Sequence, residues 1–421
     1  MKLWAFAAAL AVMAGSAGLT GHAQTEKKKL DLAKNGLAVQ CKDTVYFGLE
    51  SYKRNGFDSR WTVLDPCATN TGSDGMFLVF SNVITEPNSP GAQGDVVFDN
   101  TRHPNSSAYQ GSDVQKWCAD FFEESFTDTE KSAVIATFKD DTECDKILNG
   151  DRMFLLSRNE LMTYLPTKRE RNAVFHWNGG QYYLRTPASI RETESFEPIP
   201  YVECVYSGGE VAVQSVAFHH TAASRPAFNL DTRSVLFASA ASGGKISGET
   251  GAECLAENKD YGGDEWKLTL LDQSRDLDVR FKGIEDDVIT FKYSGAEVGD
   301  NEFISALITD AGGEIRYYGR IAEAVSSVGT LTLDVKDKLA ADDVLYIFNE
   351  QCNGDKVTDI SGSLVKLDVE RPVTKTNKKF IAADIAAAVL IISGIVFTMK
   401  KRKRPSPPET AEEDKTTGGI I

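Results

Sequence analysis

Histidines are the first residues to test for chemistry, because an imidazole can bind a metal ion or move a proton near neutral pH. His219 and His220 are adjacent. Neighbouring side chains on a strand point to opposite faces, so this pair cannot readily hold one metal ion. His103 and His176 stand alone in polar segments. We therefore expect a surface or turn role for the histidine pair, and the sequence identifies no catalytic residues.

Clustered carboxylates could bind a cation, since Ca²⁺ prefers oxygen ligands. Asp140 and Asp141 form one cluster, and Asp260 with Asp264 among glycines forms another. Neither cluster has the ligand spacing of an EF-hand loop. An acidic chain also places such residues in solvated loops by chance, which is the interpretation we favour, with Ca²⁺ binding left open. The sequence predicts no cofactor.

Seven cysteines could form disulfides, bind a metal or act as nucleophiles. Their spacing lacks the close pairs that are typical of a zinc site. Export from the cytoplasm would permit disulfides, but the number is odd and a domain of this size does not depend on covalent links. Their oxidation and connectivity therefore stay open. The cysteines are Cys41, Cys67, Cys118, Cys144, Cys204, Cys254 and Cys352.

Two arginines lie inside segments that are otherwise rich in apolar residues. These are Arg185 and Arg225. A charged group in a core needs a partner, so we expect both side chains to pair internally with carboxylates. A role for either arginine in binding a ligand is the alternative.

Three helix starts carry the capping-box signature, in which a Ser or Thr precedes a Glu or Gln by three residues. They begin at Ser112, Thr127 and Ser157. After Ser112, apolar residues recur at the spacing of one buried helix face. Trp117 belongs to that face, so we expect it in the core and not on a ligand-binding surface. The face consists of Val114, Trp117, Cys118, Phe121 and Phe122.

Short strand-like stretches surround these helices and are separated by Gly, Asn and Asp turn residues. Many short strands with few helices predict an α+β domain over residues 40–272. Residues 273–370 instead alternate apolar and polar side chains throughout. Turns about every ten residues with such alternation are typical of an immunoglobulin-like β-sandwich, so we expect a second, all-β domain there.

The two ends of the chain carry targeting patterns. Residues 1–23 combine Lys2, a short apolar run and small residues, which predicts a cleavable signal peptide followed by a linker over residues 24–39. Residues 380–399 are apolar and as long as a membrane-crossing helix, about 20 residues. Basic residues follow at once, so we predict a stalk over 371–379, a transmembrane helix over 380–399 and a cytoplasmic tail over 400–421.

The charge balance argues against a nucleic-acid partner. The chain has a net charge of −15, and its longest run of basic residues, at 400–404, lies beside the predicted transmembrane helix. A nucleic-acid-binding protein needs a basic surface to offset the phosphates. That basic cluster is best explained as a topology signal in contact with anionic lipid.

Seven short motifs, taken in order, resemble an uncharacterised extracellular domain of bacterial surface proteins. That family is itself similar to the C-type-lectin-like and formylglycine-generating-enzyme-like folds. The resemblance implies a lectin-like α+β core over residues 40–272 without a settled activity. The related enzymes use a copper-binding cysteine pair, whose spacing Cys204 and Cys254 do not match. The motifs are VYFG at 45–48, WTVLD at 61–65, DGMFL at 74–78, SDVQKWC at 112–118, LNGDRMFLLS at 148–157, YLRTP at 183–187 and RPAFNL at 225–230.

These observations lead to one expected function and two alternatives. We expect a non-enzymatic, membrane-anchored bacterial cell-surface protein that binds an extracellular ligand, either a glycan or a protein. Its binding residues are not identified by the sequence. One alternative is an enzyme of formylglycine-generating-like or hydrolase type on the same fold, and the other is a purely structural envelope protein.

Overall fold

The computed structural model describes one compact unit that ends at Val369. The described ranges are 39–48, 59–67, 75–84, 96–99, 106–140, 148–175, 178–188, 200–216, 221–259 and 261–369. The predicted signal peptide (1–23), nearly all of the linker (24–39), the stalk (371–379), the transmembrane helix (380–399) and the tail (400–421) lie outside these ranges.

Strands are far more frequent than helices in the described chain, and the helices are short. The helices are α1 Asp113–Ser125, α2 Asp128–Ala133, α3 Arg158–Tyr164 and α4 Lys168–Arg171. The strands as far as residue 272 are β1 Thr44–Tyr46, β2 Arg60–Asp65, β3 Gly75–Phe80, β4 Val96–Val97, β5 Val134–Ile135, β6 Thr137–Lys139, β7 Leu148–Asp151, β8 Phe154–Leu155, β9 Val174–Phe175, β10 Asn178–Gly179, β11 Tyr182–Ala188, β12 Tyr201–Val205, β13 Val211–Ser215, β14 Thr221–Ala222, β15 Pro226–Asp231, β16 Val235–Ala240, β17 Ala256–Glu257 and β18 Glu265–Leu271. The remaining strands are β19 Asp278–Glu285, β20 Val288–Ser294, β21 Glu302–Thr309, β22 Ile315–Glu323, β23 Val328–Asp334, β24 Val344–Gln351, β25 Asp359–Ser361 and β26 Val365–Lys366.

The three predicted helix starts are confirmed. Thr127 and Ser157 each form a full capping box, in which the hydroxyl accepts from the third helical N–H and the glutamate there accepts from the cap's own N–H. Ser112 accepts from the Gln115 N–H, but the Gln115 side chain accepts from Gly111 instead of closing the box. These bonds satisfy N–H groups that a helix end otherwise leaves unpaired.

One sheet of fourteen strands runs through the described unit. Its main path follows the order β17-β22-β21-β24-β25-β18-β1-β2-β3-β15-β5. At its centre, β18 lies parallel to both β1 and β25, so segments far apart in sequence become neighbours. Separate three-stranded sheets are formed by β11-β12-β13 and by β19-β20-β23.

Aromatic residues fill the core beside β1, β2 and β15. The Trp61 ring meets Phe228 edge-on at 4.6 Å and Phe80 at 5.1 Å. Its indole N–H donates to the Phe47 carbonyl at 2.9 Å, so the one polar atom of the side chain is satisfied. Trp117 is also buried, as predicted, and stacks on Phe121 at 5.1 Å.

The fold class predicted from the sequence is wrong. The expected α+β lectin-like domain requires substantial helix, but the longest described helix has thirteen residues and the surrounding segments pair into sheets. The expected immunoglobulin-like sandwich requires the later strands to form their own pair of sheets. Instead, β21, β22, β24, β25 and β26 join the same sheet as β1 to β3. Alternation along a strand reports which face is buried but does not identify the neighbouring strand, which explains the error.

The predicted fold class also included one transmembrane helix, and the structure corrects this. Within the described ranges, no helix is both long and apolar enough to cross a membrane. The stretch for which that helix was predicted, residues 380–399, lies outside these ranges.

The predicted domain boundary near residue 272 falls directly after β18. Buried apolar residues form one large cluster made of residues before this point and a second cluster that draws mainly on later residues. The hydrogen bonds between β18 and β25 nevertheless connect the two sides. That residues 40–272 and residues 273–370 would each fold when expressed alone therefore stays a prediction.

Candidate functional site

An open cleft of about 630 Å³ lies between α1 and residues 149–153, which include the end of β7. The N-cap Ser112 sets where α1 begins, and Gly150 within β7 has φ at +88°. Such a backbone conformation favours glycine. The lining residues are Gln110, Gly111, Ser112, Asp113, Gln115, Lys116, Ala119, Phe122, Glu123, Asn149, Gly150, Asp151, Arg152 and Met153.

A hydrogen-bond network fixes the floor of the cleft. Gln115 donates from Nε2 to Asp151 Oδ1 at 2.6 Å, and its Oε1 accepts from the Gly111 N–H at 2.6 Å. The other carboxylate oxygen of Asp151 accepts from the Asn149 N–H at 2.9 Å. The bond from Gln115 to Asp151 joins α1 to β7, and the Gly111 bond orients the Gln115 amide for it.

The charges in the cleft are mixed. Asp113, Glu123 and Asp151 supply carboxylates, whereas Lys116 and Arg152 supply cations. The Arg152 guanidinium lies over the ring of Phe122, 5.7 Å from its centre. The lining therefore offers both hydrogen-bond donors and acceptors to a ligand, and neither positive nor negative charge dominates it.

A buried thiol and phenol lie side by side next to the cleft. Burial raises the pKa of Cys118 to about 12, although the neighbouring Tyr109 hydroxyl acts in the opposite direction. Burial, followed by the nearby Cys118 and Asp151, raises the pKa of Tyr109 well above its ordinary value. Both groups are therefore protonated at neutral pH, and Cys118 is not an activated nucleophile.

The six described cysteines are free thiols, and Cys144 lies outside the described ranges. Burial raises the pKa of Cys204 and of Cys254 to about 11 each. Burial also raises that of Cys352 to about 12, with the charge of Glu350 adding to the effect. A thiolate is the form that binds metal or attacks a substrate, so Cys118, Cys204, Cys254 and Cys352 are held in their unreactive state.

The prediction that Arg185 pairs internally is confirmed. Its guanidinium makes two bonds to Glu160, at 2.5 Å and 2.9 Å, and both side chains are almost fully buried. Burial alone would raise the pKa of Glu160, but the charges of Arg185 and Lys139 outweigh it and lower that pKa to about 2. The pair ties α3 to β11.

For Arg225 the predicted carboxylate partner is wrong. In the described part of the chain its guanidinium donates to the Phe80 carbonyl at 2.9 Å, to the Arg171 carbonyl at 3.4 Å and to the Tyr182 hydroxyl at 3.1 Å. The guanidinium also lies 5.3 Å from the centre of the Tyr182 ring. Neutral oxygens and an aromatic face thus accommodate this charge.

The other sequence candidates fall wholly or partly outside the described residues. His103, His176, His219 and His220 all do so, as do Asp141 and Asp260, one member of each acidic cluster. Among the described residues, no three His, Cys, Asp or Glu side chains gather as a possible metal site.

A second group of polar residues, which the sequence did not indicate, forms a buried network of two lysines and two carboxylates. Lys245 Nζ contacts Glu350 Oε2 and lies 2.8 Å from Asp359 Oδ2. Lys267 Nζ lies 2.8 Å from the same Asp359 oxygen. Both carboxylates are fully buried and both lysine side chains nearly so. Glu350 is 105 residues from Lys245 and Asp359 is 114, so no local spacing could have indicated the cluster.

Aromatic and hydroxyl groups enclose this network. The Lys245 ammonium lies 5.1 Å from the centre of the Phe237 ring and 5.8 Å from that of Tyr318. The Tyr318 hydroxyl and the Ser305 hydroxyl each donate to Glu350 Oε1 at 2.5 Å. A cavity of about 280 Å³, lined in part by Lys245, Phe237 and Tyr318, adjoins the cluster.

The network shifts the ionisation of its members. Burial would lower the pKa of Lys245, but the charges of Glu350 and Asp359 outweigh it and raise that pKa above its ordinary value. Burial would raise the pKa of Asp359, but Lys245 and Lys267 lower it instead. In this arrangement the lysine and the aspartate are thus held as an ion pair.

A family model matches part of the chain. Residues 75–232 match the model of a family described as a domain of unknown function (DUF6273). This range contains the whole polar cleft, whereas the lysine–carboxylate network lies beyond it. No curated protein matches the chain. The match assigns no activity, and it does not show the lectin-like or surface-protein relationship that the motifs suggested.

Proposed function

We propose that this protein is a non-enzymatic binding protein, exported from the bacterial cytoplasm, that uses the polar cleft beside α1 to bind an extracellular glycan. The cleft is the observation that carries the proposal. Its volume of about 630 Å³ falls within the usual range for small-ligand sites, about 300–1,000 Å³. The signal-peptide pattern of residues 1–23 supports export.

The chemistry of the lining favours a neutral ligand rich in hydroxyl groups. A hydroxyl both donates and accepts, and so do the amides of Gln110, Gln115 and Asn149. Carboxylates and cations both line the same opening, which disfavours a strongly anionic or strongly cationic ligand. An oligosaccharide meets these requirements better than a nucleic acid or an acidic peptide.

Two observations favour binding over turnover. The cleft places Asp151 between two hydrogen-bond donors of the protein itself, which suits it to hold the floor in place. The nearest thiol, Cys118, has a pKa of about 12 and so lacks the thiolate of a cysteine nucleophile. Neither arrangement provides the nucleophile, base and orienting group that acyl or glycosyl transfer needs.

The test is to screen the purified protein on glycan arrays and peptide arrays and to measure affinity for the best ligand by calorimetry. Gln115→Ala removes the amide that fixes the floor, and we expect it to weaken binding at least about tenfold, or about 1.4 kcal/mol. Asp120→Ala, on the same helix but outside the lining, is the matched control and should bind like the parent protein.

Three outcomes would contradict the proposal. Equal losses in the two variants would mean that the ligand binds elsewhere. Turnover of a substrate in a parallel hydrolase and oxidase panel would instead favour an enzyme. If no screen detects binding or turnover, a structural role in the envelope would be favoured.

A further inference from the structure

The buried lysine–carboxylate network places an amine beside a carboxyl group, with a second carboxylate next to that amine. We propose that Lys245 and Asp359 form an intramolecular isopeptide bond, with Glu350 moving the protons. This inference concerns a part of the chain outside the cleft, so it does not depend on the proposed binding function.

The two reacting groups are already close. Lys245 Nζ lies 2.8 Å from Asp359 Oδ2. A nitrogen at hydrogen-bond distance from a carboxylate oxygen is about 3–4 Å from the carboxyl carbon, close to the separation of a near-attack arrangement. Holding two groups in this way replaces a bimolecular encounter by a unimolecular step, which removes much of the entropic part of the barrier.

The surroundings distinguish the two lysines that share Asp359. Lys245 Nζ also contacts the Glu350 carboxylate, which can take its proton. Lys267 Nζ donates instead to the Gly354 carbonyl at 2.6 Å, which cannot act as a base. We therefore assign the attacking nitrogen to Lys245, while the Lys267 charge polarises the carboxyl group under attack.

The chain also holds both carboxylates in position. The two hydroxyls of Ser305 and Tyr318 occupy Glu350 Oε1 and leave Oε2 facing Lys245. The Asn353 N–H donates to Asp359 Oδ1 at 2.8 Å, whereas both lysines contact Oδ2. This N–H can stabilise negative charge that develops on Oδ1 during the attack.

The reaction balances without any further reactant. Glu350 accepts a proton from the Lys245 ammonium, and the resulting amine attacks the Asp359 carboxyl carbon. The Nζ–Cγ bond forms and one Cγ–O bond breaks. The departing oxygen leaves as water with two protons from the nitrogen, one of them relayed by Glu350. One ammonium and one carboxylate thus yield one amide and one water, and no electrons are exchanged.

Burial favours the products of this step. A low-dielectric interior disfavours charged groups, and the amide replaces two buried ions by one neutral group. In the ion-paired state the Lys245 pKa is raised, so the reactive amine arises only when the proton moves to Glu350. The adjoining cavity of about 280 Å³, partly lined by Lys245, gives the released water a route out.

The bond would join the segment after β16 to β25, positions that are 114 residues apart. A covalent link that closes a long loop restricts the unfolded chain strongly, as a disulfide does. Unlike a disulfide, an amide is not broken by reductants. An exported protein would therefore gain resistance to unfolding that does not depend on its redox surroundings.

Mass spectrometry of the full-length protein tests the proposal. After tryptic digestion, we expect the peptides that carry Lys245 and Asp359 to appear as one branched species, lighter than their sum by one water. Lys245→Arg and Asp359→Ala should each release the two linear peptides. Separate, unmodified peptides from the parent protein would overturn the proposal, and this result needs no variant to fold.

Two further variants test the assigned roles. Lys267→Arg keeps the positive charge beside Asp359 and should retain the branched peptide. Glu350→Gln should leave the peptides linear, with a native circular-dichroism spectrum as the check on folding. A branched peptide lost in Lys267→Arg but kept in Lys245→Arg would identify the other lysine as the nucleophile. Complete cross-linking in Glu350→Gln would contradict the proton-moving role.

Discussion

The buried Arg185–Glu160 pair offers a sharp test of how this fold is stabilised. Glu160→Gln keeps the side-chain size and can still accept from the Ser157 N–H, as a glutamine does in a capping box. It removes the negative charge that makes two bonds to the Arg185 guanidinium, which is 1% exposed. Breaking a buried ion pair by removing one partner is among the most destabilising changes that a single mutation can produce.

Two routes give a similar magnitude. Arg185 and Lys139 together lower the pKa of Glu160 from 4.5 to about 2, and one pKa unit corresponds to about 1.4 kcal/mol, so its interactions in the charged form contribute about 3 kcal/mol. Removing one partner of a buried pair costs about 3–5 kcal/mol in other proteins. Since a domain is stable by only about 5–15 kcal/mol, we expect Glu160→Gln to remove a large part of the total.

The same pair predicts how stability depends on pH. The folded pKa of Glu160 lies below its unfolded value of 4.5. Its contribution is therefore fully present above that unfolded value and is lost as the pH falls toward about 2. The difference in unfolding free energy between the parent protein and Glu160→Gln should shrink over that range.

Urea unfolding followed by circular dichroism measures these differences. Glu170→Gln is the matched control, because Glu170 occupies the same position in the Thr167 capping box but is 31% exposed and pairs with the exposed Lys42. We expect it to cost less than about 1 kcal/mol. If the two variants lose equal stability, or if Glu160→Gln loses less than about 1 kcal/mol, the buried pair does not have the role assigned to it here.

Three other predictions concern packing and accessibility. Trp117→Ala should lower the unfolding free energy by about 3–5 kcal/mol, because a large buried ring is lost; an unchanged melting temperature would place that ring at the surface. Gly319→Ala should cost about 1–3 kcal/mol, because the added carbon would lie 2.4 Å from a backbone oxygen, whereas Gly283→Ala, with open space, should change the melting temperature little. Iodoacetamide should label exposed Cys41 in the native protein but not buried Cys118, whose pKa is about 12, and peptide mapping would reveal any reversal of this order.

Features that depend on neighbours in the sequence could be predicted. The cap residues Ser112, Thr127 and Ser157 mark helix starts because the hydrogen bonds of a cap span only three residues. The same signature at Thr167 and Glu170, which was overlooked, begins α4. The burial of Trp117 followed from the helical period alone, and the need of Arg185 for a carboxylate followed from its apolar surroundings.

Features that join distant segments were decided only by the packing of the whole chain. The pairing of Thr44 with Glu265 places β18 in the same sheet as β1, although alternation in either strand is equally compatible with other neighbours. The cleft exists because Gln115 on α1 meets Asp151 on β7. Lys245 follows two glycines and resembles a loop residue in the sequence. Its burial against Asp359 arises because the sheet brings β16 and β25 to either side of β18, a relation that no local pattern encodes.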